Sequence, residues 1–324
     1  MSIVELTDLI ETPVDIETFI KDPKYLGGVV GDGFYPYWLD KLKSIYLKPG
    51  VSPFCEVLLS GSIGAGRSLA SIVGFLYELY ILTLVKNPHD KWTLLPTTPI
   101  ELAVIAGDVP SNLLADRILD CINLSPYFKA ILQPNKGSRL ESDMFPNHVG
   151  ITFSSSDTVF LGKAIFSAIV DDSGCPTDPV LSKKYVETVT KLYTNTWRRS
   201  YSRFCVGGML PFRMWVAVSN ESPLYSLVKQ RKEYNAGVFY VCPSIWEVQA
   251  FKNIYSGDTF SVFIGTKTEP PQIVKDINFL VTHKKNIIQV PVEYHPDFEN
   301  NIVAALQDLA GIPMDSDERW NPNI

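Results

Sequence analysis

Cysteine is sparse in this 324-residue chain, and histidine is sparser still. The five cysteines, Cys55, Cys121, Cys175, Cys205 and Cys242, are odd in number and scattered, and no two form a C-x-x-C pair. That usage argues against a structural zinc and for a reducing compartment. The four histidines, His89, His148, His283 and His295, are too dispersed to suggest a metal cluster. No uncharged run is long enough to span a bilayer; the stretch Leu69 to Val85 is interrupted by Glu78 and reads as a buried helix. The N-terminal Met1-Ser2-Ile3-Val4-Glu5-Leu6 carries an acid and reads as no secretory signal. Positive charge is not in excess either. A net charge of −6 leaves no global nucleic-acid signature, so any DNA contact must use a local patch. Internal repeats and low-complexity tracts are absent.

What is present is enough apolar material for a sizeable core. With 46% hydrophobic and 20% charged residues, the chain suits one large domain or two smaller ones. Its organising stretch starts as an apolar strand, Phe54 to Leu59, and runs into a loop with three glycines: Gly61, Ser62, Ile63, Gly64, Ala65, Gly66. Arg67 and Ser68 then open a long apolar helical pattern. Strand, glycine-rich loop and helix are the context a phosphate-binding loop requires, and the stretch fits G-x-x-x-x-G-K-[ST] except that Arg replaces Lys. Glycines let successive backbone N–H groups turn toward one anion, and the helix adds its positive end. Ser68 is expected to place its hydroxyl on Mg²⁺ and Arg67 to reach the β- and γ-phosphates; a guanidinium stays charged and binds phosphate bidentately.

Upstream, Asp15 to Lys21 is a short amphipathic helix, and Tyr35-Pro36-Tyr37-Trp38 leads into a second. Tyr37 and Trp38 either stack on an adenine base or pack an N-terminal helix. Downstream, Trp92 to Thr97 and Glu101 to Gly107 read as strands, Pro110 to Ile122 as a helix and His148 to Phe153 as a strand. Lys163 to Val170 is an apolar strand that ends in two carboxylates, Asp171 and Asp172. Parallel α/β sheets carry their sites at the carboxyl ends of strands. Asp171 is expected to hold Mg²⁺ through water, and Asp172 to orient and deprotonate an attacking water.

From Lys183 to Arg213, seven basic residues (Lys183, Lys184, Lys191, Arg198, Arg199, Arg203, Arg213) face one acid, Glu187. They contact a phosphodiester backbone, supply an arginine to a neighbour's nucleotide, or form a solvated helix face. Met214 to Val218 reads as a buried strand ending in Ser219 and Asn220, polar groups placed to sense a γ-phosphate. Val238 to Pro243 and Phe260 to Gly265 are later strands, and Asn300 to Leu309 is a short helix with Gly311 after it.

Taken in order, these motifs resemble the ATPase domain of the tailed-phage terminase large subunits, the motors that package DNA. The likeness rests on Gly61 to Ser68, Leu79-Tyr80-Ile81-Leu82, Ser125-Pro126-Tyr127-Phe128, Asp171-Asp172, Ile245-Trp246-Glu247-Val248, Tyr255 to Phe260 and Phe298 to Gly311, and spans most of residues 35–312. It implies an ASCE-type P-loop NTPase: an α/β fold with a central, mostly parallel sheet flanked by helices, and with the acid-bearing strand next to the loop strand. It implies an N-terminal helical segment over 1–45 (an adenine-side lid), an ATPase core over 46–265, and a C-terminal lid or linker over 266–324 leading toward a nuclease. It also implies ATP and Mg²⁺ as cofactors, Ser219-Asn220 as a coupling segment and one of Arg198, Arg199 and Arg203 as a trans-acting finger. The implied partners are double-stranded DNA, a portal protein, a terminase small subunit, a nuclease domain on a separate chain and further copies in a pentameric ring. The place is the host cytoplasm, at the prohead portal vertex. Arg67 stands where the family has Lys, and Asp172 is one methylene shorter than the family's Glu. Nuclease activity is not expected of this chain. Another P-loop translocase or helicase, a metabolic kinase and a degenerate nucleotide-binding docking protein are the competing readings.

Overall fold

The computed structural model describes residues 8–105, 113–133, 144–154, 156–160, 162–172, 175–176, 178–206, 210–234 and 237–313. Two short helices come first. In α1 (Ile16–Lys21) the Asp15 carboxylate accepts from the Thr18 amide at 2.8 Å, and α2 (Pro36–Ile45) opens on a proline whose fixed φ suits a first turn. The strand β1 (Glu56–Leu59) feeds the glycine-rich loop and α3 (Arg67–Thr83). Then follow α4 (Pro88–Lys91), β2 (Ile100–Ile105), α5 (Leu113–Leu124), α6 (Pro126–Ile131), β3 (Val149–Ser154) and β4 (Ala164–Asp171). The long α7 (Pro179–Phe204) leads to β5 (Met214–Ala217), α8 (Tyr225–Tyr234), β6 (Val238–Val241) and α9 (Ile245–Gln249). The expected strand at Trp92 to Thr97 is instead the C-cap of α4 followed by turns, with Thr93 at positive φ. The expected helix start at Pro110 lies outside the described residues.

Six strands form one sheet in the order β3-β2-β4-β5-β1-β6, and every pairing is parallel. Their side chains are buried on both faces across β1, β2, β4 and β5, which is why these strands read as near-continuous apolar runs. Adjacent residues point to opposite faces. Trp215 of β5, level with Val57 of β1, meets α3 at Gly74. Glu56, one residue back, points the other way and accepts from Tyr193 of α7. The sheet is therefore sandwiched between α3 and α7. From Ala70 to Leu82 every residue of α3 is buried, as expected of a helix apolar on all sides. Each fully buried Leu, Ile or Val there contributes about 1.5–3 kcal/mol.

Residues 8–45 belong to this same core. Phe19 and Tyr25 join Tyr77, Tyr80, Tyr127 and Phe128 in an aromatic cluster with ring centroids 5.1–6.3 Å apart. A second, smaller core lies under a three-stranded antiparallel sheet, β8-β7-β9, made by β7 (Thr259–Phe263), β8 (Gln272–Val274) and β9 (Ile287–Pro291). Between β8 and β9 runs α10 (Ile277–Thr282); α11 (His295–Asn300) and α12 (Ile302–Asp308) follow β9. A boundary at 265 thus falls inside this sheet, separating β7 from both of its partners.

Candidate functional site

All six parallel strands end on one edge, and three of those ends converge. β1 leads into Ser60 to Arg67, β4 ends at Asp171 and continues to Asp172, and β5 leads into Val218 to Glu221. β5 lies between β1 and β4. The expectation that the acid-bearing strand neighbours the loop strand is therefore corrected: an inserted strand separates them.

The inserted strand ties the two together. The Asn220 Oδ1 accepts from the Gly61 amide at 3.2 Å and from the Ser60 hydroxyl. The Asp172 Oδ2 accepts from the Ser219 amide at 2.6 Å and from its hydroxyl at 2.8 Å. One turn of backbone thus holds both the start of the glycine-rich loop and the second carboxylate. Asp171 is buried at the strand end.

The loop depends on its glycines. Gly61 sits at φ 109°, and a Cβ there would lie 2.5 Å from the Pro243 carbonyl oxygen. Gly66 caps α3 in the left-handed region with φ 78°. The amides of Arg67, Ser68 and Leu69 open a 17-residue helix and have no carbonyl within it to bond. The Ser62 hydroxyl is buried with no hydrogen-bond partner. Other amides of the loop are engaged: Ser62 N–H donates to the Pro243 carbonyl at 3.1 Å and Ile63 N–H to the Asp308 carbonyl at 2.8 Å.

Arg67 is not extended. Its Nη1 donates to the Gly61 carbonyl at 2.5 Å and also to that of Ser62, folding the guanidinium back over its own loop. Burial works against its charge, while Asp172 first and Asp171 second support it. Arg67 lines a cavity of about 670 Å³ together with Ile63, Asp172, Ser219 and Glu221. Glu221 had no assigned role in the sequence. Its carboxyl is pushed up, by partial burial first and then by the nearby Asp308 carboxyl. Asp308 is likewise pushed up by burial. No spacing rule connects residues 221 and 308, so only the fold reveals this pair.

Two groups of expected site residues lie elsewhere. Trp38 is buried to 1% exposure and donates through Nε1 to the Ala65 carbonyl at 2.5 Å, so its faces are closed to a base. It braces the loop from beneath. Half-buried Tyr37 packs edge-on against Trp38, and a Cβ added at Gly66 would lie 3.5 Å from both the Trp38 Nε1 and the Tyr35 ring. Arg203 donates to the Lys163 carbonyl, just before β4. The eight residues of β4 separate that point from Asp171, about 26 Å at 3.3 Å per residue. Arg198 and Arg199 are on the same end of α7, so none of the three reaches this chain's own site. Arg213 leaves the basic patch altogether: it is buried against Glu78, with Nη1 to Oε2 at 3.0 Å.

No protein-family model matches the sequence, and no curated protein does. Among solved structures, the crystal structure of the HK97 bacteriophage large terminase aligns with 86% of this chain at 14% identity and a TM-score of 0.39. The alignment covers 50% of that protein, so this chain spans half its length. A TM-score that low transfers neither residues nor activity between the two. Among the described residues, no helix is long and apolar enough to cross a membrane, and no group of three or more His, Cys, Asp or Glu is placed to hold a metal.

Proposed function

We propose that this chain binds and hydrolyses ATP with Mg²⁺ in the cavity at the ends of β1, β4 and β5, as the motor domain of a terminase-type large subunit moving double-stranded DNA into a prohead. The supporting observation is the double attachment of the β5 tip, Asn220 to the loop and Ser219 to Asp172. Hydrolysis needs the phosphate cradle and the acidic strand end held in one frame, since phosphoryl transfer is positioning and charge stabilisation. The donor chemistry fits the cofactors. A helix N-terminus with a left-handed glycine before it suits a phosphate, and the Ser68 hydroxyl with the Asp171 carboxylate supplies the hard oxygens Mg²⁺ prefers. The ion, once bound, would neutralise charge on the phosphates. Arg67 would have to release the Gly61 and Ser62 carbonyls to reach them.

The packaging role rests on the ordered motif resemblance, as do the portal, small-subunit, separate-nuclease and pentameric-ring partners and the site of action at the portal vertex. The DNA-facing candidates are Lys183, Lys184, Lys191 and Arg198, all exposed on α7. Phosphate release from ATP and Mg²⁺, with and without duplex DNA, tests the proposal. Wild-type turnover that rises with DNA and is lost in Asp171→Ala is the expected result. A protein that neither binds nor hydrolyses ATP, with or without portal and DNA, ends it. One observation favours a second reading, a nucleotide-binding docking protein without turnover: Arg67 and the Ser62 and Ile63 amides are already engaged within the fold. Retained ATP binding with no hydrolysis under every condition selects that reading.

A further inference from the structure

We infer that Glu221, on the turn after β5, is the general base for ATP hydrolysis and that Asp308 of α12 is its positioning residue. The inference rests on the ATPase reading above. Asp172, the residue the motif order puts forward, has its Oδ2 engaged by both donors of Ser219 and serves as a tether between β4 and β5. Glu221 lines the same cavity as Arg67, Asp172 and Ser219, and is exposed to solvent. The charged and titratable groups around it are Asp308 on α12, Asp172 after β4, Arg67 of the loop and the Cys175 thiol on the cavity wall.

The Glu221 and Asp308 carboxyls lie close to one another, and both are pushed up from the usual acid range, each by partial burial first, with the neighbouring Asp308 raising Glu221 further. A carboxylate raised in this way is a better proton acceptor near neutral pH than an ordinary surface glutamate. The Asp308 main chain is anchored as well: its carbonyl accepts from Ile63 N–H at 2.8 Å. α12 therefore holds the Asp308 carboxyl in one place relative to the loop that would hold the phosphates, with Glu221 beside it.

The step balances without a further reactant. The water oxygen bonds to the γ-phosphorus as its proton passes to the Glu221 carboxylate. The bond from the γ-phosphorus to the β,γ-bridging oxygen breaks, and its electron pair leaves on the ADP oxygen. Glu221 then returns the proton to solvent, and inorganic phosphate departs.

The test compares Glu221→Gln, Asp172→Asn and Asp308→Asn with wild type in three measurements: binding of a fluorescent ATP analogue, steady-state turnover, and the pH profile of turnover. Glu221→Gln should lower kcat by about 100-fold or more and leave analogue affinity within about twofold. Asp308→Asn should keep most of the turnover and move the acid limb of the profile to lower pH, because a neighbouring acid has been removed. If Glu221→Gln turns over like wild type, the assignment is overturned while the ATPase reading stands. The same holds if Asp172→Asn alone abolishes turnover. If wild type binds the analogue but never hydrolyses ATP, or does not bind it, both fall.

Discussion

Asn220 sets one amide oxygen against two parts of the loop, the Gly61 amide and the Ser60 hydroxyl. Asn220→Ala deletes both bonds in a buried place, and each is worth about 0.5–1.5 kcal/mol. ATP affinity should fall about tenfold, which corresponds to about 1.4 kcal/mol, in a fluorescence titration. Unchanged affinity would mean that the loop holds its shape without β5. Trp38 supports the loop from the opposite side through the Ala65 carbonyl. Trp38→Phe keeps an aromatic ring but loses the donor, so it should cost about 1 kcal/mol of stability in urea unfolding. Were Trp38 a base-stacking residue, the same variant would leave stability untouched and weaken nucleotide binding.

At the scale of elements, α3 lies close against β5 because Gly74 has no side chain. A Cβ at that position would stand 2.0 Å from the Trp215 ring. Gly74→Ala would help an isolated helix, yet here it must push α3 off the sheet. It should lower stability by about 1–3 kcal/mol, read from the urea midpoint. The link between α1 and α2 is electrostatic and exposed. Lys21 and Lys43 each meet Glu17 at 2.6 Å and pull its carboxyl down from 4.5 to about 2. An acid lowered in the folded state stabilises above its unfolded value, and that stabilisation is lost as pH falls from 4.5 toward 2. The thermal midpoints of wild type and Glu17→Gln should differ slightly at pH 7 in low salt and converge near pH 2. Salt should shrink the difference because the pair is solvated.

At the scale of the whole molecule, ion pairs among the described residues fasten helices or a strand to carboxylates buried in the core. Arg231 of α8 holds Glu56 of β1, Arg213 before β5 holds Glu78 of α3, and Lys163 before β4 approaches Glu101 of β2. Burial pushes the Glu78 carboxyl up despite its partner. Arg213→Met would strand that acid in the core and should cost about 3–5 kcal/mol in urea unfolding. Combining it with Glu78→Gln should recover most of the loss, and failure to recover would show that the arginine acts through packing. The C-terminal unit reaches the loop through Gly311, whose added Cβ would lie 2.4 Å from the Pro243 carbonyl oxygen at φ 67°. Gly311→Ala should loosen that contact and speed hydrogen exchange at the Ile63 amide, leaving exchange in β1 and β4 unchanged.

Local chemistry in the chain order was enough to locate the parallel strands, the glycine-rich turn, the acidic strand end and the polar end of β5. Apolar runs bounded by glycine, aspartate or Ser-Asn have few other ways to bury themselves, and a loop with three glycines before a helix is a backbone pattern visible residue by residue. Strand order is another matter. β5 enters between β1 and β4 because side chains more than 40 residues apart pack well there, and no local signal encodes that choice. The same long-range packing took Arg213 out of a basic run and into the core, and closed the faces of Trp38. It sent Arg203 to the far edge of the sheet, because α7 runs back along β4. It also set Asp308 beside Glu221 and folded Arg67 onto its own carbonyls. Which residue types can do chemistry is a property of the sequence; which of them meet is decided by burial, because only the packed sheet brings those groups to one edge.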